Sequence, residues 1–113
     1  RTRRIALSED ALELVAARFR ALGDRARLKI LNTLMGGERS VTEIVNETGL
    51  SQTGVSRNLG LLRREGLVGR RADGNRALYR IVDPTVERLC GIVCAALTEH
   101  LEVELDALRG DVV

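Results

Sequence analysis

The stretch from Leu50 to Tyr79 places a short amphipathic helix directly before an arginine-rich hairpin, and this order limits the fold more than any other feature. Val55, Leu59 and Leu62 recur at helical spacing and predict the side of the helix that packs. The opposite side carries small and polar residues, namely Thr53, Ser56, Arg57 and Gly60. The sequence therefore predicts one helix face in a core and one face free to contact a partner.

Gly49 and Ser51 mark where this helix begins. A serine hydroxyl can accept a hydrogen bond from an unpaired backbone N–H of the first turn, and glycine suits the tight turn before it. The remaining free amides can hold a phosphate. If the partner is a DNA major groove, side chains on the first two turns face the base edges. The candidate contacts on this helix are Ser51, Gln52, Thr53, Ser56 and Arg57.

A second, shorter helix is predicted over residues 41–48, so a helix, a glycine turn and another helix follow one another. Such pairs also occur as ordinary corners of helical cores. The residues after Gly66 favour a more specific interpretation, because LVGRR and ALYRI alternate with period two around a turn. That turn, Asp73-Gly74-Asn75, accepts the positive φ that hairpins need. Together these elements predict a winged helix-turn-helix, with the hairpin as its wing.

Arginines lie along the predicted wing, where they can meet phosphates or a narrow minor groove, although a merely solvated hairpin has a similar composition. Charge distribution favours the contact. Residues 51–81 contain seven arginines and two acidic residues, a net charge of +5, whereas residues 82–113 have a net charge of −5. A polyanion is attracted to the first region and repelled by the second, which favours double-stranded DNA as partner. The candidate wing contacts are Arg70, Arg71 and Arg76, with Arg80 on the same hairpin.

Capping residues predict three further helices. The first begins at Ser8 and ends at Gly23, and the second begins at Asp24 and ends at Gly36-Gly37. The third begins at Asp83-Pro84 and ends at about Leu108. The last of these helices carries a long apolar stripe, which has to be buried against another surface. The first helix of the same chain, a second copy of the chain, or both can cover it. A two-fold dimer also supplies two DNA-contacting helices for symmetric half-sites. The stripe comprises Val86, Leu89, Cys90, Val93, Leu97, Leu101, Leu105 and Leu108.

The chain resembles the ArsR/SmtB group of bacterial winged-helix repressors in three stretches, FRALGDRARLKILNTL, VTEIVNETGLSQTGVSRNLGLLRREGLV and GNRALYRI. The resemblance spans nearly the whole chain. It implies a homodimer that occupies an operator and leaves it when an effector binds, commonly a metal or metalloid ion, sometimes an oxidant or a reactive sulfur species. Two positions depart from the pattern. Asn58 stands where histidine is frequent, on the shoulder of the helix, and Asp24-Arg25-Ala26-Arg27 replaces the frequent D-P-T-R.

These observations predict one domain over residues 1–113, mainly α with a small β-hairpin: about five helices and a two-stranded wing, assembled as a homodimer. Residues 8–22 and 84–108 are expected to dimerise, and residues 41–81 to bind DNA. The chain lacks an apolar run of membrane-spanning length and a signal-peptide pattern, so a cytoplasmic location without a membrane partner is expected. Phe19 and Tyr79 are the only aromatic residues, which disfavours binding of single strands by base stacking.

Cys90 and Cys94 are the only thiols and are neighbours on the last helix. Two interpretations remain open. The thiols can be small apolar side chains that fill a dimer seam. They can also form a sensor site, at which thiolates bind a thiophilic ion such as As(III) or are oxidised. A disulfide within one helix is disfavoured by the Cβ separation, whereas two-fold pairing can gather up to four sulfurs.

Zinc is not expected at the sites that the resemblance implies, and no other metal site is predicted. The pattern D-x-H-x10-H-x2-[EH] on the last helix keeps its acidic positions, Asp83 and Glu99. Thr85 and Ala96 stand where both histidines belong. The alternative C-x-C motif before the recognition helix is Ser40-Val41-Thr42 in this chain.

The sequence therefore favours a DNA-binding repressor that an effector releases from its operator, with Cys90 and Cys94 as the candidate sensor. One alternative is a winged-helix repressor with no thiol or metal effector. Another is a winged-helix protein-interaction module that no longer binds DNA. An enzyme is not expected, because the chain has one histidine, no glycine-rich phosphate loop and no nucleophile near a base.

Overall fold

A computed structural model describes residues 6–109, without the side chains of Val103 and residues 105–109. Two residues of the predicted stripe, Leu105 and Leu108, therefore lie outside the described side chains. The described residues confirm the mainly α architecture with a small β element. In chain order the elements are α1 (Glu9–Leu22), α2 (Arg25–Leu34), β1 (Arg39–Ser40), α3 (Val41–Thr48), α4 (Gln52–Arg64), β2 (Val68–Asp73), β3 (Arg76–Ile81) and α5 (Thr85–Arg109).

Side-chain caps determine where the first four helices begin. Ser8 accepts from the backbone N–H of Ala11, and Asp24 caps α2 in the same way, as predicted. α3 begins with a capping box that the sequence analysis did not propose. The Ser40 hydroxyl accepts from Glu43 N–H at 3.2 Å, and the Glu43 carboxylate accepts from Ser40 N–H at 2.8 Å. The box satisfies two amides that the helix itself leaves unpaired. α2 ends at Leu34, slightly before the predicted glycines.

The recognition helix, α4, is part of the core. Val55, Leu59 and Leu62 are at most 1% exposed, as their spacing predicted. α4 packs against α2, α3 and β2, so its inward face is enclosed by three elements. The other fully buried side chains of residues 6–83 come from α2, α3 and the start of the hairpin, namely Ile30, Leu31, Ile44 and Leu67.

The predicted hairpin is confirmed. β2 and β3 are antiparallel and joined by a tight turn in which Gly74 has a φ of 65°. The sheet has a third strand, however, where the sequence analysis expected two. β1 pairs with β3 through Arg39 opposite Tyr79 and Ser40 opposite Leu78, giving the order β1-β3-β2. Two residues are too few to produce a visible alternation, so this strand left no pattern in the sequence.

The structure divides into two compact units at Asp83, and α5 forms the second unit. α5 is 25 residues long and begins at Thr85, one residue after the predicted start at Pro84. Along its stripe, Val86 is buried and both Leu89 and Cys90 are half-buried, whereas Val93, Leu97 and Leu101 are exposed. Ile92, beside the stripe, is exposed as well. No helix among the described residues is long and apolar enough to cross a membrane.

α1 also has exposed apolar side chains, although it belongs to the first unit. Leu14 is 74% exposed and Phe19 is 59% exposed, and Leu12 and Val15 are exposed beside them. Isolated apolar residues on a surface are ordinary, but a cluster of this size on one helix is typical of an interaction surface.

The capping box predicts a local contribution to stability. Ser40→Ala should lower the free energy of unfolding by about 1 kcal/mol, because it leaves the amide of Glu43 without its acceptor. Urea denaturation followed by circular dichroism measures this change. Thr42→Ala is the control, since Thr42 is exposed in the same helical turn and makes no hydrogen bond through its side chain among the described residues. Equal losses in the two variants would contradict the role assigned to the box.

Candidate nucleic-acid interface

The exposed face of α4 holds the polar side chains that the sequence analysis proposed for base contacts. Burial of the opposite face fixes the rotation of the helix, so Gln52, Thr53 and Arg57 are all exposed, as is Ser56. Arg57 makes no hydrogen bond or ion pair among the described residues, so its guanidinium has all its donors available. This face is therefore open to a partner along its first two turns.

The beginning of α4 depends on a close approach between Ser51 and Gly54. The Ser51 hydroxyl accepts from Gly54 N–H at 3.0 Å. A Cβ atom at Gly54 would lie 2.9 Å from that oxygen, so glycine leaves room for the cap. Ser51 itself is exposed. The Ser51 oxygen thus caps the helix as an acceptor, while its hydroxyl proton remains available to donate to a phosphate or base.

The three proposed wing arginines differ in their surroundings. Arg70 is exposed and has no ion pair among the described residues. Arg71 is held by Glu38, because its Nε and Nη2 donate to the two carboxylate oxygens at 2.8 Å each. Arg76 lies 3.5 Å from Asp73 and 3.9 Å from Glu43. Only Arg70 of these three has an unengaged guanidinium, a distinction that the sequence did not reveal.

Glu38 and Glu43 adjust the electrostatics of the wing. The side-chain hydrogen bond from Arg71 lowers the pKa of Glu38, and the charges of Arg71 and Arg80 lower it further. The same bond raises the pKa of Arg71. The pKa of Glu43 is lowered chiefly by the hydrogen bonds of the Ser40 backbone and side chain. Both carboxylates therefore stay ionised at neutral pH and offset part of the positive charge of the wing.

Asn58, which departs from the family pattern, faces the protein interior. It is half-buried, and its Oδ1 accepts from Nη1 of Arg27 at 3.2 Å. The sequence analysis left Asn58 out of the base contacts, but it did not identify this bond. The two residues are 31 positions apart, and no local pattern connects them.

Both cysteines are free thiols on α5. Cys90 is half-buried and Cys94 is exposed. Among the described residues, no group of three or more His, Cys, Asp or Glu side chains is placed to hold a metal ion. Asp83, one acidic position of the zinc pattern, is bound by Arg18 at 2.7 Å. His100 contacts Glu104 on its own helix, with 3.0 Å between Nε2 and Oε1.

Residues 24–69 match the family described as bacterial regulatory protein, arsR family. The HTH-type transcriptional regulator Rv0081 of Mycobacterium tuberculosis is 37% identical over 103 residues, which is 90% of each chain. Its crystal structure has a TM-score of 0.78 at 35% identity and covers 87% of this chain and 99% of its own. The chain belongs to the ArsR family. It is a transcriptional regulator with a winged helix-turn-helix fold, and not an enzyme.

Three further proteins extend the comparison. HTH-type transcriptional regulator Rv0324 of M. tuberculosis is 42% identical over 90 residues, or 80% of this chain, but the match covers only 40% of Rv0324. A solution structure of the homodimeric DNA-binding domain Mb0332 from Mycobacterium bovis has a TM-score of 0.75 at 39% identity, covering 88% and 94% of the two chains. The antimony-specific transcriptional repressor AntR has a TM-score of 0.76 at 27% identity, covering 88% and 90%.

The Glu38–Arg71 pair predicts a pH-dependent contribution to stability. The folded state lowers the pKa of Glu38, so the pair stabilises the fold above the unfolded pKa, and this contribution is lost as pH falls through the folded value. Glu38→Gln should therefore reduce the free energy of unfolding near neutral pH, and the difference from the parent chain should vanish in acid. Denaturation at a series of pH values measures both free energies.

Glu102→Gln is the matched control, because Glu102 is exposed on α5 and forms no ion pair among the described residues. A Glu38→Gln difference that stays constant from neutral pH into acid would show that the ion pair is not its source.

Proposed function

We propose that this ArsR-family regulator is a repressor that binds its operator as a homodimer, with residues 41–81 of each subunit on the DNA. One observation carries the proposal: the same periodicity that buries Val55, Leu59 and Leu62 leaves a polar face of α4 exposed beside an arginine-rich wing. A helix inserted in the major groove contacts base edges with residues near its N-terminus. In this proposal Gln52, Thr53, Ser56 and Arg57 contact bases.

The wing and the N-terminus of α4 supply phosphate contacts in the proposal. Arg70 is the primary wing contact, because its guanidinium has no competing carboxylate among the described residues. Arg71 and Arg76 contribute less, since each has to leave or share an acidic partner. Ser51 adds a hydroxyl at the amide-rich end of the helix. Contacts of this kind fix the position of the protein on the duplex without identifying the sequence.

The exposed apolar side chains of α1 and α5 support the homodimer. Both helices belong to the segments proposed for dimerisation, residues 8–22 and 84–108. Burying such side chains gives roughly 25 cal/mol per Å² of apolar area, so two helices with several exposed leucines and valines gain substantially from a second copy. The homodimeric relative Mb0332 has the same fold. Two subunits also present two recognition helices to a symmetric operator.

A thiophilic ion is the effector class that this chain favours. Cys90 and Cys94 lie on one side of α5, Cys94 is exposed, and thiolates are ligands for soft ions such as As(III). The related repressor AntR is antimony-specific. Zinc is less suited, because histidine is missing from both positions of the family pattern. A regulator of transcription works on the chromosome in the cytoplasm, where thiols remain reduced at rest.

In the proposal, effector binding and DNA binding are thermodynamically linked, and this linkage produces release from DNA. An effector shifts the equilibrium only by its difference in affinity for the DNA-bound and free dimers. The proposed effector therefore has to bind more tightly to the dimer arrangement that fits the operator poorly. A repressor without thiol control, and a winged helix that binds no DNA, are the competing outcomes of the tests below.

The DNA proposal is tested by selecting duplexes from a randomised library with the parent chain and measuring affinity for the selected sequence. Arg57→Ala should weaken that binding by about 1–3 kcal/mol and relax the base preference at one position, because a bidentate base contact is lost. Arg20→Ala is the control, since Arg20 pairs with Glu13 on α1. Failure to enrich any sequence would support the protein-interaction alternative. An affinity loss that is equal for all duplexes would assign Arg57 to a phosphate.

The different surroundings of Arg70 and Arg71 predict different salt dependences. Each phosphate contact contributes about one to the slope of log affinity against log salt concentration. Arg70→Ala should therefore lower the slope by about one. Arg71→Ala should lower it less, because Glu38 already neutralises Arg71. Fluorescence anisotropy with a labelled duplex at several salt concentrations measures the slopes. Equal decreases in both variants would show that Arg71 leaves Glu38 on the DNA.

The thiol proposal predicts loss of release without loss of binding. Cys90→Ser and Cys94→Ser should bind the selected duplex as tightly as the parent chain, because neither side chain lies in residues 41–81. Both should resist release by arsenite, whose As(III) needs thiolate ligands. Titration of the labelled complex with arsenite, zinc, peroxide and persulfide identifies the effector class. Unchanged arsenite release in both variants would eliminate the thiol site.

A further inference from the structure

Two arginine side chains connect α1 with the recognition helix. Arg27, on α2, donates from Nε to the carbonyl oxygen of Ala21 at 2.7 Å and from Nη2 to that of Arg20 at 2.8 Å. These carbonyls belong to the last turn of α1, where no further helical N–H is available to them. The Nη1 atom of the same guanidinium donates to Asn58 Oδ1 on α4 at 3.2 Å. One side chain, 16% exposed, thus joins the end of α1 to the middle of α4.

Arg18 forms the second connection, from α1 itself. Its Nη2 donates to the carbonyl oxygen of Glu65, the C-cap residue of α4, at 3.0 Å. Its Nη1 donates to Asp83 Oδ2 at 2.7 Å. The side chain of Asp83 is 17% exposed and that of Arg18 is 40% exposed, so the ion pair is partly shielded from water. α4 is therefore bound to α1 at its middle and at its C-terminal end, within one compact unit.

We propose that Arg18 and Arg27 are positioning residues for DNA recognition, which hold α4 at the tilt that α1 dictates. The inference rests on the proposed function. The buried face fixes the rotation of α4 about its own axis, but apolar contacts are not directional and allow a helix to tilt. Hydrogen bonds at two separated points along the helix restrict that tilt, and a planar guanidinium with several donors is well suited to this role.

The consequence concerns sequence selectivity more than overall affinity. Base contacts require donor and acceptor atoms to meet within narrow limits of distance and angle. Phosphate attraction tolerates small shifts and supplies most of the affinity for unrelated DNA. A tilted α4 should therefore lose affinity for the selected duplex while it keeps its affinity for random duplexes. Because α1 also carries the exposed apolar cluster of the proposed dimer seam, the tilt of α4 becomes sensitive to how that seam packs.

The chain provides two matched controls for this inference. Arg20 lies on α1, and its side chain donates only to Glu13 of the same helix among the described residues. Arg25 is the first residue of α2, is exposed and makes no hydrogen bond or ion pair among the described residues. Arg18→Gln is therefore compared with Arg20→Gln, and Arg27→Gln with Arg25→Gln. Within each pair the lost charge and the helix are the same, but only Arg18 and Arg27 bridge to α4.

The quantity measured is the ratio of affinities for the selected and the random duplex. We expect this ratio to fall by about tenfold in Arg18→Gln and Arg27→Gln, because losing one good base contact typically reduces discrimination by about that factor. In both controls the ratio should stay unchanged. Simple destabilisation gives a different result. Partial unfolding lowers the concentration of active protein for both duplexes alike, so it leaves the ratio unchanged. Asn58→Ala removes the acceptor without touching α1, and it should lower the ratio as Arg27→Gln does.

The double variant Arg27→Gln with Asn58→Ala should lose no more selectivity than either single variant, since both break the same bond. Ratios equal to those of the controls in Arg18→Gln, Arg27→Gln and Asn58→Ala would overturn the inference while the proposed function stands. If Arg27→Gln does not fold, the affinity ratio of Asn58→Ala tests the Arg27 bridge on its own. If Arg18→Gln does not fold, the affinity ratio of Arg18→Lys tests the Arg18 bridge. If the parent chain selects no sequence, the proposed function fails and this inference falls with it.

Discussion

Burial of the inward face of α4 is the constraint on which the rest of the structure depends. Val55, Leu59 and Leu62 are almost completely removed from water, and each such side chain contributes roughly 1.5–3 kcal/mol. That burial fixes which side chains point outward, so the core and the proposed DNA surface are two faces of one periodic pattern. A substitution that rotated α4 would expose apolar surface and misplace the polar face together. The helix therefore cannot change its outward side chains by turning, and its tilt is what the proposed Arg18 and Arg27 bridges restrict.

The wing is held by a different kind of interaction. β1 pairs with β3, so Ser40, Leu78 and Arg71 lie in line across the sheet, and Glu38 just before β1 reaches the guanidinium of Arg71. The third strand thus covers one edge of the hairpin, and the residue just before it supplies the acid that pairs with Arg71. This arrangement ties Arg71 to the segment before β1 and leaves fewer unpaired cations for phosphates in the proposed DNA complex. Arg70 on the wing and Arg57 on α4 keep exposed guanidinium groups with no ion pair among the described residues, as does Arg80 on β3.

Features encoded by short-range patterns could be predicted from the sequence, and features that depend on distant partners could not. Helical spacing identified the buried face of α4, and the turn residues Asp73-Gly74-Asn75 identified the hairpin. The Ser40–Glu43 box is equally local, so its S-x-x-E spacing was available in the sequence and was not used. By contrast, Arg71 meets Glu38 across 33 residues and Arg27 meets Asn58 across 31. Whether an arginine is free or paired depends on the folded register of these distant segments, which composition and periodicity do not contain.

In the proposed repressor, the placement of the thiols bears on how metalloid binding is coupled to release from DNA. Cys90 and Cys94 are one helical turn apart, and their separation is set by α5 alone. An ion held by these two sulfurs would meet the same geometry in the DNA-bound and the free dimer, so it would bind without changing the operator equilibrium. Sulfurs drawn from two subunits are different, because their separation depends on how the subunits are arranged. In the proposed dimer, ligation across the subunits therefore gives an effector unequal affinities for the two arrangements, which is the requirement for coupling.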